Sequence, residues 1–430
     1  MKIKALLYVV LLLVSGCDKA PAPEESFAGL GSEAADFAQV LPGKVFDFPE
    51  DHGPHAGFRI EWWYVTANLK DAQGHVFGVQ WTLFRNALKA GPTQPGWQDS
   101  TIWLGHAAVT SATRHYAAER YARGGVGQAG AQAAPFSAWI DDWNFATRPG
   151  ATGPLADMQL KASGAQFAYD LHLTSSRPLV LQGDNGYSRK SDQGQASYYY
   201  SQPFFTANGS VSLDGKVYQV TGPAWLDREW SSQPLAASQT GWDWFSLHLD
   251  RGEQLMLFRV RQKDGTGYLT GTWIDREGHT QTLHNADIQL TPLATTDIDG
   301  RRIPTRWSLK IPGKQLDITT EAVNPKAWMN LNIPYWEGPV QFEGGVGYLE
   351  MTGYKHFSIG ADPLLYRPLP NCDLAPSGLC PGRIRLLIFR RHLHCIRDVR
   401  HGAGIHQRQA NQLQQFENLA DGPRHEPPAL

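Results

Sequence analysis

The segment FRIEWWYVTANLKDAQGHVFGVQWTLFR, residues 58–85, decides the fold class of this chain. Two runs in which apolar and polar residues alternate flank a polar turn at residues 71–74, which is the pattern of a β-hairpin. A second segment, TGWDWFSLHLDRGEQLMLFR at residues 240–259, has the same plan of tryptophan-rich run, polar turn and apolar run ending in Phe-Arg. The repeat predicts two related β domains, each of which opens with a similar hairpin.

The repeat extends to single residues, and turns recur along the chain. Aligning the two segments pairs Trp62 with Trp242, Tyr64 with Trp244, and Leu69 with Leu249. Asp-Gly or Glu-Gly turn pairs stand at 214–215, 264–265, 277–278 and 299–300. The chain contains 15 Trp, 15 Tyr and 18 Phe beside 43 Gly and 28 Pro. Aromatic residues interrupted by frequent turns predict an all-β fold of sandwich or barrel type.

Composition excludes several classes of protein. Of the 430 residues, 42% are hydrophobic and 19% charged, which excludes disorder for most of the chain. The net charge of −2 argues against a nucleic-acid partner bound through its phosphates. After the first 17 residues no apolar run is long enough to cross a bilayer, so a polytopic membrane protein is excluded.

The first 17 residues, MKIKALLYVVLLLVSGC, have the features of a lipoprotein signal peptide. Lys2 and Lys4 precede an apolar run of ten residues, which is too short to span a bilayer permanently. The ending Val-Ser-Gly-Cys resembles a lipobox, in which Cys17 becomes the acylated first residue; the alternative is an ordinary signal peptide with a chance cysteine. An Ala-, Pro- and Glu-rich tether follows over residues 18–40. We therefore expect a lipid-anchored protein of the cell envelope that faces the periplasm.

The tail at residues 355–430 differs from the rest of the chain. It has no Trp, although all 15 precede it, and it carries three of the four Cys. The sequence His392-x-His394-Cys395 has no matching Cys pair at zinc spacing, so we assign it no metal. We predict a disordered extension without a function.

Three motifs carry a resemblance to a known family: EWWYVTANL at residues 61–69, WLDREW at 225–230 and GYLEMTGY at 347–354. In these motifs the chain resembles the AttH/CrtC family, which contains AttH-type secreted proteins and carotenoid 1,2-hydratases. The resemblance covers about residues 41–354. It implies two tandem lipocalin-like β-barrel domains, in agreement with the repeat and the turns.

The resemblance also implies domain limits, ligand and partners. The N-terminal barrel would comprise residues 41–225 and the C-terminal barrel residues 226–354. An apolar ligand and no organic cofactor are implied. AttH-type proteins are associated with ABC transporter components, whereas the hydratase branch adds water to an isoprenoid double bond, so the family determines the fold better than the reaction.

Glu61 is the first candidate for chemistry. Strand alternation places it on one face with Arg59 and Trp63, whereas Tyr64 lies on the other face. An unpaired buried carboxylate is costly, so we expect Glu61 to pair with Arg59 or Arg85. The alternative is an acid whose pKa is raised by loss of hydration.

Asp227 and Glu229 form a second candidate pair. Alternation places both on one face with Trp225, and residues i and i+2 of a strand stand about 6.5–7 Å apart. Two carboxyls at that distance raise at least one pKa, as a general acid at neutral pH requires. The alternative is that Arg228 and a neighbouring arginine neutralise the pair at the seam between the domains.

The chain departs from the hydratase branch at three positions. The resemblance implies a His where this chain has Arg228, and a Tyr and an Asp where it has Phe258 and Val260. The acid–base set of the hydratases is then missing, which makes the hydratase interpretation the weaker one.

Metal and nucleophile motifs give no stronger candidate. Asp51, His52 and His55, with Glu61 and His106 elsewhere in the chain, offer metal-ligand chemistry. The first three lie in a Gly/Pro-rich loop and not on a helix, so we assign no metal. The motifs G-x-S-x-G and H-E-x-x-H are both absent, as are phosphate and dinucleotide loops.

Ligand-binding residues are expected among the aromatic side chains, since a barrel of lipocalin size often encloses one small ligand. The residues that we expect to line that cavity are Trp63, Tyr64, Trp81, His106, Trp230, Trp242 and Trp244.

Three functions are compatible with the sequence. The first is a periplasm-facing lipoprotein that binds a long apolar or lipid-like molecule beside an ABC transport system. The second is a cofactor-free hydratase or isomerase of an isoprenoid-like alkene, in which Asp227 or Glu229 protonates the substrate and Glu61 orients water. The third is a structural envelope lipoprotein, whose barrels are filled by their own side chains.

Overall fold

The computed structural model describes residues 36–355, except Pro234 and Ala237. All described residues belong to one compact unit. The predicted anchor Cys17 and the tail from residue 356 onward lie outside the described residues. Within the described part, no helix is long and apolar enough to cross a membrane.

The first sheet contains thirteen strands. They are β1 (Ile60–Asp71), β2 (Val76–Ala87), β3 (Thr101–Ser111), β4 (His115–Arg123), β5 (Ala129–Gln132), β6 (Ser137–Ile140), β7 (Trp143–Thr147), β8 (Asp157–Ser163), β9 (Phe167–Thr174), β10 (Val180–Leu181), β11 (Tyr187–Arg189), β12 (Ala196–Leu213) and β13 (Lys216–Ser231). Their order is β4-β3-β2-β1-β13-β12-β9-β8-β7-β6-β5, with β10 and β11 paired to β12. The sheet curls into a nearly closed barrel.

The second sheet contains ten strands and curls into a half-barrel. They are β14 (Gln239–Leu249), β15 (Gln254–Gln262), β16 (Gly267–Ile274), β17 (Thr280–Leu283), β18 (Gln289–Ile298), β19 (Arg301–Ile311), β20 (Leu316–Ala322), β21 (Trp328–Met329), β22 (Tyr335–Phe342) and β23 (Gly345–Met351). Their order is β17-β16-β15-β14-β23-β22-β20-β19-β18, with β21 paired to β22. The described residues also contain four 3-10 turns: Glu50–His52, Gly96–Gln98, Asn285–Asp287 and Pro312–Lys314.

These sheets confirm the predicted all-β class with two tandem barrel domains. Both hairpins are present, because β1 pairs with β2 and β14 pairs with β15 in antiparallel register. The strand orders of the two sheets also correspond, so that β1 and β13 of the first sheet match β14 and β23 of the second. The predicted division between residues 225 and 226 falls inside β13, and the chain passes to the second sheet only after Ser231.

The interior of each barrel is filled with its own side chains. Trp63, Trp81 and Trp230 belong to the core of the first sheet, and Trp307 and Trp336 to that of the second. All five are buried, and close packing of such large side chains leaves little room for a ligand inside either barrel. The filled interiors agree with one expectation of the structural-protein hypothesis.

A third apolar cluster lies between the sheets. Tyr64 and Trp225, from the outer face of the first barrel, pack with Trp244 and Phe258 of the second sheet. The edges of two rings meet here, since the Tyr64 and Trp244 centroids are 5.2 Å apart at an interplanar angle of 85°. In the strands that border the seam, alternate side chains therefore point into a barrel and into the seam.

Candidate active site

A cavity of about 110 Å³ lies in the seam between the two sheets. Strands β1, β2, β12 and β13 line one side, strands β14, β15 and β23 line the other, and the β11–β12 and β13–β14 connections complete the wall. The side chains that line it include Ile60, Trp62, Tyr64, Thr82, Phe84, Lys190, Ser197, Asp227, Glu229, Leu235, Trp242, Trp244, Phe258, Val260 and Glu350. An engineered apolar cavity of roughly 150 Å³ binds benzene, so this one is large enough for a small organic group.

The two halves of the molecule contribute matching residues to the cavity. In the strand registers, Tyr64 lies opposite Asp227, and Trp244 lies opposite Glu350. Because Tyr64 and Trp244 are equivalent in the repeat, Asp227 and Glu350 occupy equivalent positions as well. Each sheet thus supplies one member of this equivalent pair of carboxyl groups to the same cavity.

Asp227 is buried and receives hydrogen bonds on both of its oxygens. The Tyr199 hydroxyl donates to Oδ2 at 2.5 Å, and the Ser201 hydroxyl and the Trp225 indole donate to Oδ1 at 2.5 and 2.6 Å. Burial outweighs these bonds, and with the nearby Glu229 it raises the pKa of Asp227 to about 7. This carboxyl is therefore partly protonated at neutral pH.

Glu229 differs from Asp227 in having a cationic partner. The Lys190 ammonium lies 2.7 Å from Oε1 of Glu229, and the Ser197 hydroxyl donates to the same oxygen. The expected neutralisation of the Asp227–Glu229 pair by Arg228 does not occur, because Arg228 points to the opposite face of β13 and pairs with Glu61. The pair is thus neutralised on one side only, by a lysine.

Glu350 brings a third carboxyl into the cavity from β23. Its Oε1 accepts a hydrogen bond from the Trp242 indole at 2.6 Å. Burial raises the pKa of Glu350 to about 7, and the charges of Asp227 and Glu229 add to the increase. Glu350 therefore also holds a proton for part of the time at neutral pH.

A further buried carboxyl supports the cavity from behind. Glu337 lies opposite Glu350 in the register of β22 and β23. The Tyr64 hydroxyl, which borders the cavity, donates to Glu337 Oε1 at 2.5 Å. Burial and the neighbouring Glu350 raise the pKa of Glu337 well above its ordinary value, which favours the neutral form of this carboxyl.

Glu61 lies outside the cavity, in a compact ion-pair cluster on the interior side of β1. Its carboxylate meets Arg85 at 3.0 Å, Arg228, and the His55 ring at 3.1 Å, so the predicted pairing with Arg85 is confirmed. Burial alone raises the pKa of Glu61, but Arg228, His55 and Arg85 together hold it well below its ordinary value. Glu61 is therefore a permanently ionised group and does not share a site with Asp227.

The structure divides the expected ligand-binding residues into two sets. Tyr64, Trp242 and Trp244 line the cavity. The others do not line it: Trp63, Trp81 and Trp230 fill the first barrel, and His106 lies elsewhere in the seam with Nδ1 3.0 Å from the Tyr335 hydroxyl. The expectation placed the cavity inside a barrel, whereas strand alternation turns these tryptophans away from the seam.

Glu350 and Lys190 are the site residues that the sequence interpretation missed. A signal for Glu350 exists, because Tyr348-Leu349-Glu350 repeats the pattern of Trp225-Leu226-Asp227 and both triplets belong to the motifs quoted above. No comparable signal marks Lys190, which reaches the cavity from the connection between β11 and β12.

The metal ligands considered from the sequence, Asp51, His52, His55, Glu61 and His106, do not line the cavity. Asp51 and His55 join the Glu61 cluster, where the His55 ring bonds to both carboxylates, whereas His52 bonds to the Tyr200 hydroxyl. Among the described residues, one group has ligand atoms close enough for a metal ion, and it occupies the exposed β16–β17 turn: Asp275, Glu277 and His279. In that turn the His279 ring is already bonded to Asp275, so we assign no metal site.

The chain is similar to one described protein family and to proteins of known structure. A family model described as AttH-like matches residues 39–354. An AttH protein of Nitrosomonas europaea is 33% identical, with a TM-score of 0.65, and the match covers 74% of this chain and all of that one. Kievitone hydratase of Nectria haematococca is 13% identical, with a TM-score of 0.55, over 75% of this chain and 97% of that one. No curated protein sequence is significantly similar to the chain.

Proposed function

Because the chain belongs to the AttH-like family, as its resemblance over residues 41–354 predicted, we propose a function that suits this fold and the cavity chemistry. The protein is a cofactor-free acid–base enzyme that adds water to, or isomerises, the double bond of an isoprenoid-like alkene. The observation that carries the proposal is a pair of carboxyls, the buried Asp227 and the half-buried Glu350, which enter one aromatic cavity from two sheets with pKa values of about 7.

Hydrogen bonding suggests which carboxyl is the acid. Both oxygens of Asp227 accept hydrogen bonds, which favour its ionised form, whereas Glu350 receives one bond, on Oε1. Glu350 therefore donates its proton to one carbon of the double bond. Asp227 accepts a proton from the water whose oxygen bonds to the other carbon, and exchange with solvent restores both carboxyls. A donor with a pKa near the working pH is the most effective one.

The positions that differ from the hydratase branch support this assignment of the site. Phe258 and Val260, where the resemblance implies a Tyr and an Asp, both line the cavity. Arg228, where it implies a His, instead faces the barrel interior and pairs with Glu61. In the proposed mechanism the chemistry comes from Asp227 and Glu350, and Glu350 takes the role of the acid that the sequence interpretation gave to Asp227 or Glu229. Kievitone hydratase, which is named for a hydration, supports the proposal at the level of the fold alone.

Solvent deuterium provides a test that needs no knowledge of the natural substrate. The protein is incubated in heavy water with 3-methylbut-2-en-1-ol and longer isoprenoid alcohols, and the products are analysed by mass spectrometry. We expect carbon-bound deuterium, and a loss of about 10²-fold or more in rate for Asp227→Asn or Glu350→Gln. Asp317→Asn, which alters an exposed carboxylate paired with Lys310, serves as the control. Deuterium incorporation at the wild-type rate in the Asp227/Glu350 double variant would contradict the proposal.

Binding of an apolar ligand without turnover is the second candidate. The aromatic lining, with Trp62, Trp242 and Trp244, favours it. With about 110 Å³ available, the cavity accommodates one end of a long lipid and leaves the rest outside. In this version the protein is anchored through Cys17, faces the periplasm and works beside an ABC transport system. Organic extraction and mass spectrometry of protein purified from its own host test it, because a stoichiometric lipid would support a carrier and an empty protein would argue against one.

A further inference from the structure

We infer that the seam cavity is also a cation-binding site, whose ligand is an ammonium group on a small apolar body. The inference uses the same cavity as the proposed function but depends on binding, not on turnover. It rests on the balance of charges in the lining, on the aromatic walls and on the way in which the protein already holds one ammonium group there.

The cavity has more negative than positive groups. Among the described residues that line it, Asp227, Glu229 and Glu350 are acidic and Lys190 is the one cationic side chain. Lys190 is engaged with Glu229, at 2.7 Å. When Asp227 and Glu350 are ionised, the lining therefore carries two negative charges that no cation in the cavity balances. A cationic ligand would recover part of the electrostatic free energy that burial of these groups costs.

Aromatic faces make the same cavity suitable for an ammonium group. Indole and phenyl rings attract cations placed over their faces within about 6 Å, and quaternary ammonium groups are recognised in this way. Trp62, Trp242, Trp244 and Phe258 are in the wall. A weakly hydrated ammonium would meet both ring faces and carboxylates, a combination that a neutral ligand of the same shape cannot use.

Lys190 demonstrates this binding mode within the protein. Its ammonium lies 4.2 Å from the ring centroid of Phe258 and 5.0 Å from that of Tyr199, while it pairs with Glu229. The protein thus already holds one cation between aromatic rings and a carboxylate at one side of the cavity. Asp227 and Glu350 are the carboxyls that remain for a second cation.

Binding of a cation should depend on pH. A bound cation favours the ionised carboxyls, so affinity should rise as the pH passes through about 7, where Asp227 and Glu350 lose their protons. The other titratable groups that face this pair are Glu229 and Lys190 at the cavity, Tyr64 and Tyr199 of the first sheet, and Glu337 of the second. Burial raises the pKa of Tyr64 and Tyr199 well above 10, so neither tyrosine loses a proton near pH 7, and burial also raises the pKa of Glu337 well above its ordinary value.

Two probes of the same shape separate charge from size. Choline and 3,3-dimethylbutan-1-ol differ in one atom, a quaternary nitrogen in place of a carbon, and both can be titrated into the full chain by calorimetry. At about pH 8 we expect choline to bind at least tenfold more tightly, and the preference to approach parity at about pH 5.5. Equal or tighter binding of the neutral alcohol at the higher pH, or no binding of either probe, would overturn the inference.

Variants link the preference to the cavity. Glu350→Gln should reduce the preference for choline several-fold at the higher pH, and Asp317→Asn, an exposed carboxylate away from the cavity, should leave it unchanged. Lys190→Met removes the ammonium that competes for Glu229 and should increase choline affinity; a decrease would contradict the charge argument. Deuterium transfer without selective choline binding would contradict the cation site and support the proposed enzyme. Selective choline binding without deuterium transfer would support the cation site and contradict the proposed enzyme.

Discussion

Glu61 and Asp227 are buried carboxyls on the paired strands β1 and β13, yet their surroundings move their pKa values in opposite directions. Two guanidinium groups and a histidine surround Glu61, and its pKa falls well below the ordinary value. Hydroxyl and indole groups surround Asp227, and its pKa rises to about 7. The difference comes from strand alternation, because Arg228 points into the barrel and leaves the neighbouring Asp227 without a guanidinium partner.

The first kind of carboxyl contributes to stability, and the second kind is suited to chemistry. A buried carboxylate that contacts cations stays ionised and stabilises the fold. Removing it leaves those cations buried without a negative partner. A buried carboxyl that meets neutral donors keeps a proton near neutral pH, and this is a requirement for acid catalysis. The two regions should therefore respond differently to substitution and to pH.

The largest effect is expected from Glu61→Gln. The substitution leaves Arg85 and Arg228 buried without their carboxylate, so the free energy of unfolding should fall by about 3–5 kcal/mol. Urea denaturation followed by fluorescence measures it. Glu277→Gln, at an exposed turn, is the matched control and should change stability by less than about 0.5 kcal/mol. If Glu61→Gln lowers the free energy of unfolding no more than the control does, Glu61 does not stabilise the fold through its ion pairs.

The contribution of Asp227 to stability should fall as the pH rises, whereas the contribution of Glu61 is lost as the pH falls. In the folded protein the pKa of Asp227 rises from 3.8 to about 7, so its protonated form stabilises the fold below about pH 4 and this contribution is lost as the pH rises through 7. The loss amounts to about 4 kcal/mol. Asp227→Asn should flatten the decline measured in urea between about pH 4 and pH 8. An unchanged slope in this variant would mean that Asp227 titrates normally.

The two cavity carboxyls should influence each other. The charge of Asp227 raises the pKa of Glu350, so Asp227→Asn should lower the pKa of Glu350 as followed by ¹³C NMR of labelled glutamate. Asp317→Asn provides the comparison, since it removes an exposed carboxylate outside the cavity. If Glu350 titrates identically in both variants, the carboxyls do not act as a pair.

The smallest effect concerns one hydrogen bond. The Tyr199 hydroxyl favours the ionised form of Asp227, so Tyr199→Phe should raise the pKa of Asp227 further and change stability by about 1 kcal/mol. Tyr116→Phe, which removes an exposed hydroxyl bonded to Asp214, is the control for stability. A lower pKa for Asp227 in the Tyr199 variant would contradict the role assigned to this bond.

Much of this arrangement could be predicted from local sequence pattern. Alternation placed Glu61 and Trp63 on one face of β1 and Tyr64 on the other, and it placed Asp227 and Glu229 together, as the structure has them. The turns and the repeated hairpin predicted the all-β class. These features depend on neighbours in sequence, which is why a single chain reveals them.

The position of the cavity could not be predicted in the same way. It depends on which outer faces of two sheets meet, and thus on contacts between β1 and strands of the second sheet, which are more than a hundred residues away. Without that information Trp81 and Trp230 were expected at a ligand, although they fill a barrel. Glu350 was missed because its pattern, Tyr348-Leu349-Glu350, gains meaning only when the strand registers make it equivalent to Asp227.

Titration of the side-chain carboxyl carbons by ¹³C NMR tests the central claim most directly. The protein is labelled in Asp and Glu, and the signals are assigned with Asp227→Asn, Glu350→Gln and Glu61→Gln. The account predicts that Asp227 and Glu350 titrate near pH 7, while Glu61 stays ionised well below its ordinary range. Ordinary titration of Asp227 and Glu350 near pH 4 would contradict it, because the cavity would then hold no acid at neutral pH.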